Sequence, residues 1–404
     1  MRHPFAIVSV INDLVSDQRV HRTALTLKQS GYKVLLVGRK RKSSPPLPPR
    51  EYATHRMILL FEKGPLFYAE FNLRLFLFLL IHRESLLVSN DLDTLLPNRI
   101  VQKLKKIPLV YDAHEYFTGV PELETRPFVQ KIWKKIERKI IPSIQYMVTV
   151  NDSIAALYNR EYGVEPLVVR NIPLAPKPGA CNRLTREDMG LPEGKRIILL
   201  QGAGINVNRG AEEAVLAMRF IEEALLLIIG EGDVIPALKS IVEANNLSDK
   251  VRFMPRQPFE QLYSFTLLAD IGITFDKGTN LNYRFSLPNK LFDYLQAGLP
   301  VLASPLPEIK KIIDRFGCGA MIESHDPKHI ATSIIRMLND EPFLKRCREN
   351  ALKAAAVLNG ETEQLALLTL FQQIIRTDKT YSRNAEANYN PQSEEQTPNR
   401  NDRK

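Results

Sequence analysis

Cysteine is scarce in this sequence, and no apolar run is long enough for a membrane span. The 404 residues include three cysteines, Cys181, Cys318 and Cys347, with no metal-like spacing. Such a sparse, odd set argues against a disulfide framework, so a reducing cytoplasm is the expected compartment. A spanning helix needs about 20 apolar residues, and the most apolar later run, 75–81, has charged residues on both sides. We therefore expect no segment to cross a membrane, and we interpret the apolar start at 5–10 as a buried strand rather than a signal peptide.

The net charge of +10 is confined to the first part of the sequence. Residues 1–180 hold 27 Lys and Arg against 16 Asp and Glu, whereas 181–404 hold 28 against 29. A one-sided positive field favours an anionic partner, such as a phosphorylated substrate or an anionic lipid, although it can also serve solubility alone. No nucleic-acid recognition motif accompanies the charge, so we expect no nucleic acid among the partners.

Short apolar runs alternate with amphipathic stretches along most of the chain. Continuous apolar runs are typical of parallel strands covered on both faces, and strand–helix alternation predicts doubly wound α/β sheets with right-handed crossovers. The first set of predicted elements has strands at 5–10, 33–38, 56–61, 86–90, 108–112, 145–150 and 166–170, and helices near 17–30, 66–82, 93–106, 127–141 and 153–160. The second has strands at 196–201, 224–229, 250–254, 270–275, 300–303 and 318–322, and helices near 210–219, 234–245, 259–268, 288–298, 306–314 and 327–358.

A break rich in proline and glycine separates these two sets. It covers residues 171–195, which we interpret as a linker between a first Rossmann-like domain over 1–170 and a second over 196–360. A last helix is predicted at 361–377. Residues 378–404 have almost no apolar side chains, and we expect them to be disordered because burial cannot offset their ordering entropy.

Ligands of open α/β sheets bind beyond the carboxyl ends of the strands, so the residues that follow each strand are the candidate site. Strand 196–201 ends in Gln201-Gly-Ala-Gly-Ile-Asn-Val-Asn-Arg-Gly210, where two glycines permit a tight turn and Arg209 lies at the mouth of the next helix. Backbone N–H groups and a guanidinium suit a diphosphate, but an ordinary turn with a solvated arginine has the same pattern. Strand 224–229 ends in Gly230-Glu-Gly-Asp233, whose acids are suited to a ribose or sugar hydroxyl.

The most informative stretch is Ser286-Leu-Pro-Asn-Lys-Leu-Phe-Asp-Tyr-Leu-Gln-Ala-Gly-Leu-Pro-Val301. Pro288 suits the first turn of a helix. Lys290 falls in that turn, where a cation is unfavourable beside the positive end of the helix dipole, so its placement indicates a bound anion. Asp293 lies three residues further along the same helical face.

Polar residues also follow two strands of the first predicted sheet. Strand 108–112 ends in Asp112-Ala-His-Glu115, and strand 86–90 ends in Asn90-Asp-Leu-Asp93. A histidine at a strand end is a candidate functional group, although a lone histidine is more often structural. We interpret Asp91 and Asp93 as structural or acceptor-side residues, and no metal site is predicted. The basic, proline-rich insert 39–50 is expected to be a solvated loop, with anion binding as the alternative.

Several of these segments together resemble the GT-B-fold glycosyltransferases of glycosyltransferase family 4, over residues about 3–377. The run from Ser286 to Tyr294 with Ala297-Gly-Leu-Pro-Val is similar to the donor-site helix of the family, and Gln201-Gly with Arg209-Gly to its phosphate loop. The nucleotide-side turn of the family resembles Ile229-Gly-Glu-Gly232. Its first-domain histidine segment resembles Tyr111-Asp-Ala-His-Glu115. The resemblance implies two facing doubly wound domains, an acceptor-binding first domain, a nucleotide-sugar-binding second domain and a C-terminal helix that crosses back to the first.

The same resemblance implies the site residues. His114 and Asp293 would be catalytic, with His114 near the reacting carbon of the donor sugar and Asp293 in place of the family glutamate that holds the ribose. Nucleotide or ribose contacts would come from Gly230, Glu231, Gly232 and Asp293. The donor diphosphate would be bound by Gly202, Gly204, Arg209, Gly210, Ser286, Leu287, Asn289 and Lys290, with backbone amides around Ser286 and Leu287 facing it.

The sequence departs from the family pattern at three places. The first of two family glutamates would fall on Phe285, a frequent family arginine falls on Ala203, and the first loop, Asn12-Asp-Leu-Val-Ser-Asp-Gln-Arg19, has no Gly-Gly pair. These departures leave the donor sugar open.

The segment 128–141 predicts a basic amphipathic helix. Phe128, Ile132, Ile136 and Ile140 share one face, which either packs in the core or lies on an anionic membrane. The predicted membrane or acceptor contacts are Lys131, Trp133, Lys134, Lys135, Arg138 and Lys139.

The expected activity is retaining, metal-independent transfer of a sugar from a nucleotide-diphosphate sugar to a glycan or lipid-linked acceptor. It requires no cofactor, and cell-envelope polysaccharide synthesis, with possible peripheral contact with the membrane, is the expected setting. Two alternatives remain open. A nucleotide-sugar epimerase can use the same architecture, and the missing glutamate at Phe285 is compatible with a non-catalytic scaffold.

Overall fold

The computed structural model describes residues 4–15, 17–174 and 185–377, which contain two sets of parallel strands with helices between them. The strands are β1 (Phe5–Asp13), β2 (Lys33–Lys40), β3 (Ala53–Ile58), β4 (Leu86–Asn90), β5 (Leu109–Ala113), β6 (Tyr146–Thr149), β7 (Leu167–Val168), β8 (Arg196–Gly202), β9 (Ala224–Gly230), β10 (Val251–Met254), β11 (Ile271–Thr274), β12 (Val301–Ala303) and β13 (Gly319–Met321). The helices are α1 (Gln18–Gln29), α2 (Gly64–Ile81), α3 (Leu92–Lys105), α4 (Pro121–Glu124), α5 (Pro127–Ile140), α6 (Asp152–Tyr162), α7 (Ala211–Ala217), α8 (Ile235–Ala244), α9 (Phe259–Leu268), α10 (Leu281–Arg284), α11 (Asn289–Gln296), α12 (Pro307–Phe316), α13 (Pro327–Asn339), α14 (Glu341–Val357) and α15 (Gly360–Thr377).

Both sheets are doubly wound, as the sequence predicts. The seven-stranded sheet has the order β3-β2-β1-β4-β5-β6-β7, and the six-stranded sheet has the order β10-β9-β8-β11-β12-β13. The strand order reverses between β1 and β4 in the first sheet and between β8 and β11 in the second, and both pairs are parallel. Loops diverge at such a point, so each carboxyl edge has a crevice for a ligand.

Burial on both faces explains why the strands are continuous apolar runs. In β8, Ile198 and Leu200 contribute to one buried cluster, whereas Ile197 and Leu199 contribute to another. All four side chains are at most 2% exposed. Since successive residues of a strand point to opposite faces, helices cover both faces of this sheet.

The chain divides into two compact units that do not follow chain order. Of the described residues, the first contains 4–15, 17–112, 144–146 and 364–377, and the second contains 113–143, 147–174 and 185–363. Most of α15 therefore groups with the first unit, where the Gln364 amide donates to Gln29 Oε1 at 2.9 Å. This agrees with the C-terminal crossing helix of the predicted fold.

The predicted linker falls between β7, the last strand of the first sheet, and β8, the first strand of the second. Its central part, 175–184, lies outside the described residues, and so does the tail 378–404 that was predicted to be disordered. Cys318 and Cys347 are buried and unpaired, whereas Cys181 lies in the segment that is not described.

Some predicted boundaries are wrong for identifiable reasons. Strand β3 spans Ala53–Ile58 rather than 56–61, because the apolar residues that follow it belong to the loop before α2. The long helix predicted at 327–358 is two helices that meet at Asp340, whose side chain accepts a hydrogen bond from the Phe343 amide. An N-cap of this kind begins a new helix, and Pro342 suits the first turn that follows it.

Candidate functional site

The loops after β8 and β9 are packed directly against each other at the carboxyl edge of the second sheet. The Ile205 amide donates to Glu231 O at 2.9 Å, and the Glu231 amide donates to Gly202 O at 3.2 Å. A Cβ atom on Gly230 would lie 1.8 Å from Gly202 O, and one on Gly232 would lie 2.0 Å from Ile205 O. These two glycines are therefore explained by contact between loops rather than by approach of a ligand, and their predicted nucleotide contacts stay a prediction.

Arg209 is held at this edge by a carboxylate and an aromatic ring. Its Nη1 atom is 3.3 Å from Oδ2 of Asp276, which is 1% exposed at its side chain. Its guanidinium carbon lies 4.3 Å from the centroid of the Tyr283 ring. Because stacking leaves the edge of a guanidinium available for hydrogen bonds, Arg209 is presented in a geometry suited to an anion.

Lys290 reaches the same place from the first turn of α11. A Cβ atom on Gly202 would lie 3.8 Å from Lys290 Cε, so the lysine stem passes beside the end of β8. Burial lowers the pKa of Lys290, and the positive charge of Arg209 lowers it further, while Asp276 opposes both effects. A bound anion would relieve the repulsion between the two cations.

Several residues at this edge and at the start of α11 have buried polar atoms without hydrogen-bond partners. Among the described residues they include Arg209 Nε, both carboxylate oxygens of Asp276, Ser286 Oγ and Asp293 Oδ1. Buried polar groups are otherwise satisfied in the great majority of cases. A polar ligand bound at this edge would supply the hydrogen bonds that these atoms lack among the described residues.

Asp293 lies in the second turn of α11 and is positioned by a residue that the sequence analysis missed. Gln201 Nε2 donates to Asp293 Oδ2 at 2.9 Å, and Gln201 Oε1 accepts from Thr266 Oγ1 at 2.9 Å. The pair of hydrogen bonds fixes the orientation of the glutamine amide, so its N–H group faces the carboxylate. Burial raises the pKa of Asp293 to about 6, and the hydrogen bond from Gln201 only partly opposes this.

We predict that Asp293→Asn stabilises the protein at high pH. The folded-state pKa of about 6 lies above the ordinary 3.8, so the folded state loses stability as pH rises from about 4 to 6. Above that window the ionised carboxylate costs on the order of 2–3 kcal/mol. Asparagine keeps an acceptor for Gln201 without the charge. Chemical denaturation of both proteins at pH 4 and pH 8 should show a gain in the free energy of unfolding at pH 8 only, and an equal gain at both would contradict this account.

The residues before α11 differ from the prediction at one point. The Ser286 amide does not face a ligand, because it donates to Tyr283 O at 3.2 Å. Its hydroxyl oxygen is buried and has no hydrogen-bond partner within the described ranges, so the side chain is the group that this residue can offer to a ligand. Leu287 is half-buried and Asn289 is exposed. Pro288 is the N-cap of α11, and the first amides of a helix have no partner within it, which suits a phosphate there.

Gly210 and Gly204 have different roles in the loop after β8. Gly210 has φ +72°, and a Cβ atom on it would lie 2.2 Å from Phe275 O, so glycine is required where this loop contacts the end of β11. Gly204 has only Asn206 Nδ2 near its Cβ position, at 3.9 Å. The space around Gly204 is therefore open, which is compatible with its predicted diphosphate contact.

Within the second unit, the segment that contains His114 is hydrogen-bonded to α10, the short helix before α11. Asn282 of α10 donates to Glu115 Oε2 at 2.8 Å and accepts from the Tyr116 amide at 2.9 Å. The next residue, Tyr283, is the ring under Arg209. The structure thus connects the predicted histidine segment to the predicted phosphate cation through one short helix.

Sequence reasoning missed Gln201, Asp276, Asn282 and Tyr283 as functional residues. Asp276 follows β11 and could have been found by the strand-end rule that found Arg209. Asn282 and Tyr283 carry no such signal, because their roles depend on which loop lies beside them in the fold.

The first unit presents an arginine at the carboxyl end of β2. The Arg39 guanidinium carbon lies 4.5 Å from the centroid of the Phe67 ring, and its buried Nε atom has no hydrogen-bond partner among the described residues. Burial and the nearby Arg41 lower the pKa of Arg39. Arg39 begins the basic insert predicted from the sequence, and Arg50 at its end also has a buried Nε atom without a hydrogen-bond partner among the described residues.

No three histidine, cysteine, aspartate or glutamate side chains cluster to hold a metal ion within the described chain. Asp93, which the sequence analysis paired with Asp91 as structural or acceptor-side, is buried. The backbone amide of Asp91 donates to Asp112 O at 2.9 Å. Asp112 in turn accepts from Arg19 Nη2 at 2.6 Å. The Asp91-Leu-Asp93 segment is thus built into the carboxyl edge of the first sheet.

Helix α5 presents its basic side chains but not its tryptophan. Lys131, Lys135, Arg138 and Lys139 are exposed, and Lys134 is half-buried. The indole of Trp133 is buried and lies edge-on to the Phe117 ring, with 5.2 Å between ring centroids. The predicted membrane contact of Trp133 is therefore wrong, because packing removes the ring from the surface. On the predicted apolar face Ile140 is buried, whereas Phe128 and Ile132 are 75% and 46% exposed.

Two doubly wound parallel sheets are the architecture of GT-B-fold glycosyltransferases. The profile of glycosyl transferases group 1 matches residues 182–354, and that of glycosyltransferase family 4 matches residues 17–174. The chain belongs to this glycosyltransferase family, which confirms the resemblance drawn from the sequence.

Individual proteins with similar sequences or structures are also named as enzymes of sugar transfer or sugar-phosphate synthesis. N-acetyl-alpha-D-glucosaminyl L-malate synthase of Bacillus anthracis is 20% identical over 48% of this chain and 50% of its own length. D-inositol 3-phosphate glycosyltransferase of Thermobispora bispora is 26% identical over 45% of this chain and 43% of its own. The chain thus spans about half the length of the curated relatives it matches. The solved sucrose-phosphate synthase of Thermosynechococcus elongatus has a TM-score of 0.75 and 19% identity, over 93% of this chain and 100% of that one.

Proposed function

We propose that this protein is a retaining, metal-independent glycosyltransferase. It takes a sugar from a nucleoside-diphosphate sugar and transfers it to a glycan or lipid-linked acceptor, in cell-envelope polysaccharide synthesis at the cytoplasmic face of the membrane. The observation that carries the proposal is the pair Arg209 and Lys290 at an edge where buried polar atoms lack hydrogen-bond partners among the described residues. This arrangement has the charge and the hydrogen-bond capacity that a diphosphate needs.

The difficult step is the loss of the diphosphate from the anomeric carbon. Positive charge develops on the sugar while negative charge grows on the leaving phosphate, and fixed cations at that phosphate stabilise the transition state. Arg209 and Lys290 supply two charges, and the first turn of α11 adds backbone N–H groups. Asp293, oriented by Gln201, is the proposed ligand of the ribose, and His114 is the proposed contact of the donor sugar.

Metal independence and the lack of a cofactor are parts of the proposal that follow from this chemistry. Charge on the leaving diphosphate is met by side chains and a helix terminus, which can take the place of a divalent cation. The proposal requires neither Asp91 nor Asp93 to bind a metal.

The proposed acceptor is anionic and is bound by the first unit. Residues 1–112, which form most of that unit, hold 18 Lys and Arg against 9 Asp and Glu. Arg39 adds a stacked guanidinium whose Nε has no hydrogen-bond partner in the described part of the chain. The names of the two curated relatives specify L-malate and inositol 3-phosphate, both of which carry negative charge, and this supports the same class of acceptor here.

A panel of nucleotides and nucleotide sugars tests the donor site. We expect one nucleoside diphosphate and its sugar to raise the melting temperature, with and without EDTA, by an amount equivalent to about 2.7 kcal/mol at 100 times the dissociation constant. No shift with any nucleotide would support the scaffold alternative, and a shift that EDTA abolishes would overturn metal independence.

Incubation with the selected donor tests the reaction itself. Sugar should be transferred to a phosphorylated or carboxylated acceptor with its anomeric configuration retained, as read by NMR of the product. Arg39→Gln should raise the acceptor KM while the donor shift is unchanged. Conversion of the donor without an acceptor would identify an epimerase, and an inverted product would contradict retention.

A further inference from the structure

The outer side of α2 is unusually apolar for an exposed helix. Its exposed large side chains are Leu66, Leu73, Leu77, Leu80 and Ile81, with exposed fractions from 37% to 79%. Their spacing places them on one side of a helix, and we call them the α2 face. Of the nine exposed positions in Gly64–Ile81, only Arg74 has a polar side chain.

The same region continues into the segment before the helix. Leu60 is 81% exposed and Phe61 is 43% exposed. Both backbone amides donate to the Glu70 carboxylate of α2, at 2.9 and 3.0 Å, so the two side chains are held beside the helix. Ile58 at the end of β3 is 70% exposed.

Helix α3 lies against α2 and adds to this surface. Asn72 of α2 donates to Asp93 O of α3 at 2.9 Å. Leu96, Ile100 and Leu104, one helical turn apart, are 39%, 41% and 62% exposed. Of the 23 exposed large apolar side chains of the described residues, 11 lie between residues 58 and 104. Exposed apolar surface concentrated in this way marks an interaction site.

The charges around this surface are mostly positive. The exposed cations of the segment 58–106 are Lys63, Arg74, Arg83, Lys103 and Lys106. Glu62 is its one exposed acid, and that carboxylate accepts a hydrogen bond from the Lys42 amide at 3.3 Å. An apolar face bordered by cations is complementary to a bilayer with anionic headgroups.

The sequence predicts no segment long enough to cross a membrane, but α2 is long and apolar enough by length and composition alone, and 22% of it is buried. Its inner side chains Phe67, Phe71, Leu75 and Leu79 are at most 5% exposed. A spanning arrangement would remove these residues from the core of the first unit, so the geometry favours a helix that lies on a bilayer rather than one that crosses it.

We propose that the α2 face docks on the surface of an anionic lipid bilayer. A protein partner would need hydrogen bonds across such an interface, at about one per 100–200 Å², and this face offers almost no polar group. Lipid acyl chains require none. The proposal deepens the proposed function, because it names the surface that would bring the enzyme to a lipid-linked acceptor, and it moves the membrane contact from α5, where the sequence placed it, to α2.

Vesicle flotation of the full chain tests this proposal without donor or acceptor. Wild type should float with vesicles of phosphatidylcholine mixed with phosphatidylglycerol, and about tenfold less with phosphatidylcholine alone. Leu73→Glu/Leu77→Glu should lower flotation about tenfold or more, since each change removes apolar insertion and adds repulsion. Phe128→Glu/Ile132→Glu on α5 is the matched control and should float like wild type.

Two outcomes would overturn the proposal. One is flotation that the α2 substitutions leave unchanged. If the α5 substitutions lowered flotation instead, the membrane contact would be assigned to α5. The other is a wild-type dimer in analytical ultracentrifugation that the α2 substitutions dissociate, which would mean that a second copy covers the face. The thermal shift by the donor nucleotide must persist in every variant, so failure of docking and failure of the proposed donor site are distinguishable.

A second measurement does not depend on charge substitution. The single tryptophan, Trp133, is buried and should not be quenched by brominated lipid. Leu77→Trp places an indole on the α2 face, and its emission should be quenched by anionic vesicles of brominated lipid. Absence of quenching while the protein floats would show that another surface binds the bilayer.

Discussion

Arg209→Ala should lower kcat/KM for the nucleotide sugar by roughly 10²–10³-fold and abolish the thermal shift by the diphosphate. The guanidinium is 3.3 Å from Asp276 and stacked on Tyr283, so it is fixed before the ligand binds. Its charge is then available to the leaving phosphate without reorganisation. Isothermal titration with the nucleoside diphosphate and initial rates with the sugar donor measure the two effects.

The loss of Arg209 also affects Asp276, its ion-pair partner, and a second substitution at Asp276 separates the two effects. Removal of Arg209 takes one of two cations from the buried Asp276 carboxylate, the other being Lys290. Because the Arg209 side chain is 25% exposed, the cost should be smaller than the several kcal/mol of a fully buried pair. In Arg209→Ala/Asp276→Asn that charge is also removed, so stability should recover while nucleotide affinity stays low. Recovery of affinity in the double variant would show that Arg209 acts only by neutralising Asp276, and the diphosphate site would have to be reassigned.

Gly230→Ala should destabilise the second unit by about 2–5 kcal/mol. The residue has φ +141°, and a Cβ atom would lie 1.8 Å from Gly202 O. Backbone strain at positive φ contributes about 1–2 kcal/mol, and overpacking contributes about 1–3 kcal/mol. Denaturant unfolding measures the loss, and nucleotide affinity should fall with it because the loop that contains Gly202 must move.

Gly204→Ala is the matched comparison in the facing loop. Its nearest atom is Asn206 Nδ2 at 3.9 Å from the Cβ position, and its φ is not in the left-handed range. A surface change of this kind is usually within about 0.5 kcal/mol of wild type. Equal destabilisation by both substitutions would mean that loop packing is not what requires glycine at 230.

The fold was predictable because it depends on patterns that one sequence displays. Runs such as Ile197–Leu200 are apolar at every position, and burial on both faces of a parallel strand is what requires this. The break at 171–195 follows from its prolines and glycines. The division of 327–358 into two helices was missed because Asp340 and Pro342 act within a continuous amphipathic pattern.

The candidate site was only partly predictable. Arg209, Lys290 and Asp293 follow from strand ends and helix polarity, which are local rules. The partners that fix them come from distant loops. Gln201 and Asp293 are 92 residues apart, and Asn282 contacts Glu115 across 167 residues. A single sequence contains no signal for such a pair, because either residue alone is compatible with an ordinary loop.

The burial of Trp133 gives the protein an optical reporter of its own. It is the single indole in the chain, and its ring meets Phe117, three residues after His114, with centroids 5.2 Å apart. Emission excited in the indole band thus originates from one place, beside the segment that Asn282 ties to Tyr283 and Arg209. Fluorescence titrations of the unmodified enzyme would therefore follow that segment alone, without a label and without background from other tryptophans.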